Sequence, residues 1–397
     1  MRRHQSPKDE NDDFSLVLGG PLYQLFIRTR MMRPPLQLLY RRLILIPALA
    51  WLPLLVLSII DGRAAGTVGM PFLADIGVYS RFLIAMPILI LAEPIVHYQM
   101  RDVIAQFHER RLVPPAAAPD FSRAVTSAKH LRNSKWAEIA ILVLAFVAGP
   151  RGVQEAFSTL QTSAWHSTVE DGRVQLTLAG WWFVHISIPM FQFLLLRWYF
   201  RVLVWWRLLW QLSRLPLSLT PTHPDRAGGI GFLGEGAAGF APVLFAQAAV
   251  VSGFIADRVH AGNRSVTDFV AEIVVLVVLM VLFAIGPLLF FSRQMFAARR
   301  DGLRRYGALA SEYAGAFEDK WQHGRRPAGE ALLGTADIQS MTDLIGSNDV
   351  VRDMKPTPLT MRVFIALVAA TALPFLPLAL IELPFREVVS RVLSMML

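Results

Sequence analysis

Seven long runs of apolar residues constrain the fold of this chain more than any other feature of its sequence. A bilayer core of roughly 30 Å requires about 20 apolar residues in a helix that rises 1.5 Å per residue. The runs cover residues 43–60, 76–96, 136–152, 176–204, 237–256, 269–291 and 363–382. Because a helix satisfies its own backbone hydrogen bonds in lipid, we predict an all-α, polytopic membrane helix bundle with about seven transmembrane helices.

The balance of apolar and charged residues supports the same class. Hydrophobic residues make up 54% of the chain and charged residues only 17%, whereas soluble domains carry about 25% charged residues. The chain has no cysteine, which excludes disulfide bonds, thiolate nucleophiles and iron-sulfur clusters. We predict no cofactor and no metal, and an enzyme is the least favoured class because no nucleophile can be matched with a base.

The basic residues are distributed unevenly between the segments that connect the runs. Of 39 Lys and Arg residues, 31 fall in alternate connecting segments and eight in the others. Because cytoplasmic loops are enriched in Lys and Arg, we predict a cytoplasmic amino terminus and a carboxyl terminus on the opposite side. The first run follows 42 residues, so we expect it to be a retained membrane helix and not a cleaved signal.

The runs and charges divide the chain into four parts. They are a cytoplasmic amino-terminal segment with an interfacial helix (1–42), six transmembrane helices with a glycine-rich cytoplasmic loop at 220–236 (43–291), a cytoplasmic helical segment (292–362), and a seventh transmembrane helix with an amphipathic outer tail (363–397). The spacing of apolar residues in the third part predicts amphipathic helices. The tail would either lie on lipid or pack against a partner subunit.

Basic residues at the predicted inner surface indicate anionic lipids as partners. Leu22, Leu25 and Phe26 share one helical face ahead of several arginines, which is typical of a helix lying on an anionic leaflet. Arg197 and Arg201, near the end of the fourth run, are predicted to extend to the same headgroups. Four arginines after the sixth run have two interpretations, phosphate binding or a role in topology alone. They are Arg299, Arg300, Arg304 and Arg305.

Ionisable groups inside the runs indicate a polar path through the membrane, because such groups are costly in lipid. Glu93 directly precedes Pro94, and His97 follows one helical turn later on the same face. Glu138 is predicted to lie at a similar depth. These residues have three interpretations. They form a proton or cation path, or Glu93 and His97 weakly indicate a metal site, or Glu93 is buried and paired with His97 or with an arginine. Gln247, in the middle of the fifth run, either joins two closely packed helices or contacts a solute.

The loop TPTHPDRAGGIGFLGEG, residues 220–236, is the most distinctive feature outside the runs. Its glycines permit positive φ and its amides can cradle an anion, but it lacks the lysine and the preceding strand of a P-loop. A re-entrant entrance to the fifth run fits better. His223 and Asp225 form a capping pair, a proton-linked latch or, weakly, metal ligands. The candidate loop residues are His223, Asp225, Arg226, Gly228, Gly229 and Gly231.

Two phrases outside the runs carry a resemblance to a known family. THPDRAGGIGFL, residues 222–233, and LGTADIQSMTDLIGSNDVVRDMKPTP, residues 333–358, resemble an uncharacterised family of bacterial polytopic inner-membrane proteins. The resemblance covers most of the hydrophobic chain. It implies a bacterial inner-membrane location, and it supplies no activity and no catalytic residues. In such a membrane, the carboxyl terminus that the charge distribution puts opposite the cytoplasm would lie in the periplasm.

Two classes of function remain. In the first, the protein passes or senses a small solute or ion, with Glu93, His97 and Glu138 as the polar path and the glycine-rich loop as the inner gate. In the second, it is a non-transporting scaffold or signalling partner that presents its cytoplasmic helices to another protein. In both classes the protein could also form a homo-oligomer. Nucleic acid is not expected as a partner, because basic and aromatic residues do not alternate on a soluble face.

Overall fold

The computed structural model describes residues 14–31, 36–66, 69–160, 164–170, 173–261, 264–325, 329–330 and 336–382. The described residues form α-helices, several of them continued by 3₁₀ or π turns, and a single hairpin of two short strands. The chain is therefore an all-α polytopic bundle, as predicted. The predicted amphipathic tail begins after residue 382 and lies outside the described residues.

The helices, in chain order, are α1 Pro21–Arg28, α2 Leu39–Ile60, α3 Ile76–Tyr79, α4 Met86–Glu109, α5 Ala118–Arg132, α6 Lys135–Leu160, α7 Leu178–Trp182, α8 Ile188–Leu212, α9 Phe232–Ala238, α10 Ala241–His260, α11 Val270–Ile285, α12 Ser292–Trp321, α13 Ala336–Arg352, α14 Met361–Ala372 and α15 Leu376–Glu382. Strands β1 Ser167–Glu170 and β2 Arg173–Leu176 pair antiparallel. Two π turns, Ser80–Ala85 and Phe183–Ser187, join α3 to α4 and α7 to α8.

Six continuous helical stretches within the described residues are long and apolar enough to cross a membrane. They are Leu39–Ile60, Ile76–Glu109, Leu178–Leu212, Phe232–His260, Val266–Trp321 and Met361–Ala379. Each contains most or all of one predicted run. The protein is therefore a multi-pass membrane protein.

The predicted count of seven membrane helices is corrected to six among the described residues, because the run 136–152 is not one of them. Only residues 139–150 separate Glu138 from Arg151. They span roughly 18 Å of helix, short of a bilayer core of roughly 30 Å. The helix itself forms as α6 and runs antiparallel to α8, with Glu138 beside Arg197 and Gly149 against the side chain of Gln192.

The exposed surface of α11 shows why the bundle requires apolar surroundings. Val274, Val278 and Leu282 repeat every four residues along the helix and are 54%, 50% and 48% exposed, whereas Val281 and Ala284 on another face are buried. Each Å² of such apolar surface costs about 25 cal/mol in water, so a broad apolar face is stable only against lipid or another protein.

One end of the bundle, here the hairpin end, is formed by the loop after α2 and the strands before α7. The backbone N–H of Trp165 donates to the carbonyl of Met70 at 2.9 Å, and Arg63 Nη1 donates to the carbonyl of Ala164 at 3.1 Å. The indole of Trp165 donates to Asp75 Oδ2 at 2.9 Å. These bonds hold the two loops together at one surface.

The opposite end, here the loop end, brings together the three connecting segments after α4, α8 and α13 and the start of α12. The N–H of Ser218, after α8, donates to the carbonyl of Leu112 at 2.8 Å. Lys355 N–H, after α13, donates to the carbonyl of Arg226 at 2.8 Å, and Gln294 on α12 donates to the carbonyl of Leu215 at 2.7 Å. The glycine-rich loop therefore belongs to the same surface as the segment after α13.

Candidate functional site

A buried ion cluster surrounds Glu93 on α4. Glu93 is 3% exposed, and its Oε2 forms an ion pair with Arg42 of α2. Its Oε1 lies 3.2 Å from Arg201 Nη2 and 3.8 Å from Arg197 Nη1, both on α8. Two helices that are distant in sequence, α2 and α8, therefore direct three guanidinium groups at one carboxylate on α4.

The local sequence explains why α8 contributes two arginines to the cluster. Arg197 and Arg201 are four residues apart, so both point from one face of the helix, and they are 7% and 3% exposed. The Arg201 guanidinium also lies 4.7 Å from the centre of the Trp198 ring. A buried charge requires a partner, and Glu93 provides it. The prediction that these two arginines extend to lipid headgroups is therefore wrong.

Glu138 joins the cluster through Arg197. Its Oε1 lies 3.5 Å from Arg197 Nε, and its two carboxylate oxygens accept from the backbone N–H of Leu22 at 3.2 and 3.3 Å. The structure thus brings Glu93 and Glu138 to two different nitrogens of one guanidinium group. Leu22 lies in α1, so the amino-terminal region is also bound to the cluster.

The segment of residues 14–20, here the covering segment, closes one side of the cluster. Its Ser15 Oγ lies 2.8 Å from Nδ1 of His97, and the Ser15 carbonyl accepts from the guanidinium of Arg132. Phe14 and Leu16 are 1% and 0% exposed. His97 is therefore bound by the covering segment, one helical turn away from Glu93.

A small cavity of about 20 Å³ lies between the covering segment and the cluster. It is lined by Arg132, Arg197 and Arg201 and by one carboxylate, that of Glu138. Desolvation lowers the pKa of Arg132 to about 10 although the field of Tyr23 opposes this, so Arg132 is still cationic at neutral pH. The cavity has room for about one water molecule.

The cluster carries more positive than negative charge. Four arginines, Arg42, Arg132, Arg197 and Arg201, lie among two glutamates. Arg42 is 1% exposed, and its Nε and Nη2 atoms have no hydrogen-bond partner among the described residues. The sequence drew attention to Glu93 and Glu138 but not to Arg42 or Arg132, which it places at the ends of helices.

Gln247 does not belong to this cluster. Its Oε1 accepts a hydrogen bond from the Tyr199 hydroxyl at 3.0 Å, which joins α10 to α8. Tyr199 lies between Arg197 and Arg201 in sequence but on another face of α8. The contact matches the packing interpretation of Gln247, in which an amide joins two helices.

Asp225 organises the glycine-rich loop. Its Oδ1 accepts from the N–H of Ala227 at 2.8 Å and of Gly229 at 3.1 Å, and its Oδ2 accepts from the N–H of Gly231 at 3.0 Å. Although burial opposes it, these bonds and the His223 ring hold the pKa of Asp225 below its ordinary value. The anion that the loop amides cradle is therefore the loop's own carboxylate.

The backbone of the loop explains its glycines. Gly228 and Gly229 have φ of 69° and 95°, and Arg226 between Asp225 and Ala227 has φ of 52°. Side chains disfavour this left-handed region and glycine does not. A Cβ at Gly228 would also lie 2.9 Å from Met354 Cε.

The two phrases that carry the resemblance contact each other at the loop end. Arg226 of the first phrase forms an ion pair with Asp353 of the second at 3.2 Å, beside the backbone bond to Lys355. A cavity of about 200 Å³ lies between them, and Arg110, Lys355 and Glu235 are among its lining residues. It shares no lining residue with the cavity at the ion cluster.

His223 and Asp225 form a pair in the loop. His223 Nδ1 lies 2.9 Å from Asp225 Oδ1. Among the described residues, no group of three or more His, Asp or Glu side chains is arranged to hold a metal ion. A metal is also not needed to explain the His97 ring, which is bound by Ser15.

The candidate residues thus form two separate sites, the ion cluster with Glu93, His97 and Glu138, and the loop with His223, Asp225, Arg226, Gly228, Gly229 and Gly231. Comparison of the chain with known protein families, with characterised proteins and with solved structures gave no match. The case for function therefore rests on the geometry of these two sites.

Proposed function

We propose that this multi-pass membrane protein passes or senses a small anion, and that the described conformation is closed. The observation that carries the proposal is the excess of buried arginines around Glu93. Several guanidinium groups at one point inside a membrane protein create a strong local preference for negative charge, because the low dielectric hardly screens them.

In the closed conformation the carboxylate of Glu93 supplies the negative charge that these arginines attract. Its carboxylate is bound by guanidinium groups from Arg42, Arg197 and Arg201, as a bound anion would be. The glutamate side chain is flexible, so an anion of similar charge can replace it at the guanidinium groups without a change of backbone fold. In this proposal Glu93, His97 and Glu138 line the path. The Glu93 carboxylate competes with the passing anion for the three guanidinium groups.

The covering segment acts as the gate. Phe14 packs 6.5 Å from the Trp205 ring, and Ser15 binds both His97 and Arg132. With this segment in place the cavity holds about one water molecule, which is too small for continuous passage. Opening therefore requires the covering segment to leave α4 and α5.

The location and orientation are part of the same proposal. We place the protein in a bacterial inner membrane with the loop end and the amino terminus in the cytoplasm, supported by the excess of Lys and Arg in the segments of that end. The hairpin end and the carboxyl terminus would then face the periplasm, because α6, although its apolar run is too short to count among the six, leads the chain from the loop end to the hairpin end.

The decisive experiment is anion flux in liposomes. A variant that loosens the covering segment, Phe14→Ala/Leu16→Ala/Val17→Ala, is compared with a control of exposed α1 residues, Gln24→Ala/Leu25→Ala/Ile27→Ala, and with wild type. We expect the first variant alone to admit chloride, and the addition of Arg201→Gln to abolish the flux. Potassium flux should stay at background in all of them.

An absence of chloride flux in every variant, with correctly folded protein by size exclusion, would contradict passage. Sensing is then tested by the thermal unfolding midpoint in chloride and in a large impermeant anion. An equal midpoint in both, for wild type and for the loosened variant, would exclude an anion site at the cluster.

A second candidate function, a scaffold for another protein, is favoured by α12 and α13. These helices pack against each other at the loop end, and Leu309, Ile338 and Ile345 are 48%, 44% and 50% exposed on them. A scaffold would lose a stoichiometric partner in co-purification when Ile338 and Ile345 are changed to Ser, while the flux assay stays at background. The surface change Gln339→Ser is the matched control.

A further inference from the structure

An arginine-rich groove lies on one face of α12, just beyond the last apolar turn of its membrane span. The turn Gly286–Phe291 ends this apolar stretch, and Arg293 is the first charged residue after it. The groove is open to its surroundings, with a volume of about 840 Å³, because every residue that lines it belongs to α12. Its main lining residues are Arg293, Arg299, Arg300, Arg304, Phe296 and Leu303.

The arginines of the groove share one helical stripe. Arg293, Arg300 and Arg304 are separated by seven and four residues, so they follow one face of α12 over roughly 16 Å. All three are exposed, and within the described part of the chain none is paired with a carboxylate in an ion pair. Arg299 is different, since it donates to the carbonyl of Arg352 at 2.7 and 3.2 Å. The groove therefore keeps at least three uncompensated positive charges.

Apolar side chains lie between these charges. Phe296 is 54% exposed and stands one turn from Arg293 and from Arg300, and Leu303 is half-buried in the same groove. A ligand that fills the groove therefore needs a negatively charged group for the arginines and an apolar group for Phe296. A soluble phosphate satisfies only the first requirement.

We propose that this groove binds an anionic phospholipid, with the headgroup phosphate on Arg300 and Arg304 and an acyl chain along Phe296. The position of the groove at the end of an apolar span places it where lipid headgroups meet a membrane protein. Each arginine near an anionic surface adds favourable free energy, and the guanidinium fork matches phosphate oxygens. The proposal is independent of anion passage at the ion cluster.

The test uses the full-length protein in a neutral detergent. Three additions are compared by bound-lipid retention in native mass spectrometry and by the thermal unfolding midpoint: phosphatidylglycerol, phosphatidylcholine and inorganic phosphate. A bound ligand stabilises the folded state in proportion to its occupancy. We expect phosphatidylglycerol to be retained and to raise the midpoint, and the other two to do neither.

The variant Arg300→Gln/Arg304→Gln should bind phosphatidylglycerol about thirtyfold more weakly, since two phosphate-binding arginines are removed. The control Arg305→Gln/Arg325→Gln removes the same formal charge from exposed positions outside the groove, one beside it on α12 and one beyond the end of that helix, and should bind within about threefold of wild type. Both variants should unfold at the wild-type midpoint without lipid, because the substituted side chains are exposed.

Three results would overturn the proposal. Equal weakening in the two variants would mean that net charge and not the groove recruits the lipid. Equal binding of phosphatidylcholine, or competition by inorganic phosphate at millimolar concentration, would mean that the site does not recognise an anionic phospholipid. Full retention in Arg300→Gln/Arg304→Gln would restrict these arginines to a role in topology.

Discussion

Two carboxylates, Glu93 and Asp225, are surrounded by donors in different ways. Glu93 lies among three guanidinium groups from two other helices, whereas Asp225 accepts three backbone N–H groups from the six residues that follow it. Inside the membrane a full negative charge needs full positive charges, because neither water nor a few dipoles offsets the cost of burial. At the loop end Asp225 is only half-buried, so amide dipoles and water are sufficient to stabilise its negative charge.

The difference also concerns sequence distance. Asp225 forms its bonds locally, so the loop can adopt its shape as a unit. Glu93 is bound by side chains 51 and 108 residues away, so its site exists only when α2, α4 and α8 have packed. We therefore expect the Glu93 site to control the stability of the whole bundle, and the Asp225 site to control only that of the loop.

The largest effect is expected for Glu93→Gln. Removal of this charge leaves three buried guanidinium groups without their main partner, and breaking a buried pair costs about 3–5 kcal/mol. The unfolding midpoint in detergent should fall strongly, whereas the exposed control Glu312→Gln should stay near wild type. Similar midpoints for the two variants would mean that Glu93 is protonated or that water reaches the cluster.

A smaller and local effect is expected for Asp225→Ala. The substitution leaves three loop N–H groups without an acceptor, which costs about 1–3 kcal/mol where they stay dry. Hydrogen exchange should accelerate at residues 227–231 and stay unchanged in α4 and α8. Faster exchange throughout the bundle would contradict the local character of this site.

The same site predicts a dependence on pH. The folded-state pKa of Asp225 is held below its ordinary value, so its contribution is fully present above an unfolded pKa of about 4 and is lost as the pH falls through the folded pKa. Loop exchange, corrected for the intrinsic pH dependence of exchange, should therefore accelerate below about pH 4 in wild type. In Asp225→Asn it should show no such transition, and a transition there would assign the effect to another group.

The glycine positions sharpen the contrast between loop and helix. Gly229 has φ of 95°, so Gly229→Ala is expected to cost about 1 kcal/mol or more. Gly346 lies inside α13 with open space around it. The same substitution there should leave the free energy of unfolding unchanged or raise it by at most about 1 kcal/mol. Urea unfolding of the two variants measures the change in the free energy of unfolding for each. If Gly229→Ala did not destabilise the protein either, the positive φ at Gly229 would not be required for the loop.

The sequence was sufficient for the class of fold but not for the ion cluster. Apolar runs of bilayer length predict membrane helices because hydropathy is a local property, and they failed only at 136–152, where Glu138 and Arg151 stand close together. Arg42 was counted as a charge before the first run, yet α2 begins at Leu39 and buries it. Its pairing with Glu93 depends on helix packing, which local patterns do not contain.

The loop was the opposite case. Its glycines predicted positive φ and amides able to cradle an anion, and for His223 and Asp225 a capping pair, a proton-linked latch and metal ligands were all open. The structure has positive φ at Gly228 and Gly229 and places the Asp225 carboxylate among the loop amides. What the spacing left open was which anion occupies the cradle. The Asp225 carboxylate does so because it lies two, four and six residues before the amides that it binds, within reach of a tight turn.

The smallest effect is expected for the ion pair between Arg226 and Asp353, which joins the loop to the segment after α13 at 3.2 Å. Both side chains are more than half exposed, so water and salt screen the pair. A double-mutant cycle with Arg226→Gln and Asp353→Asn should give a coupling of about 0.5 kcal/mol or less, falling further in 1 M salt. A coupling as large as the loss in Glu93→Gln would mean that exposure does not distinguish the two sites, and that the loop end is held as firmly by charge as the buried cluster.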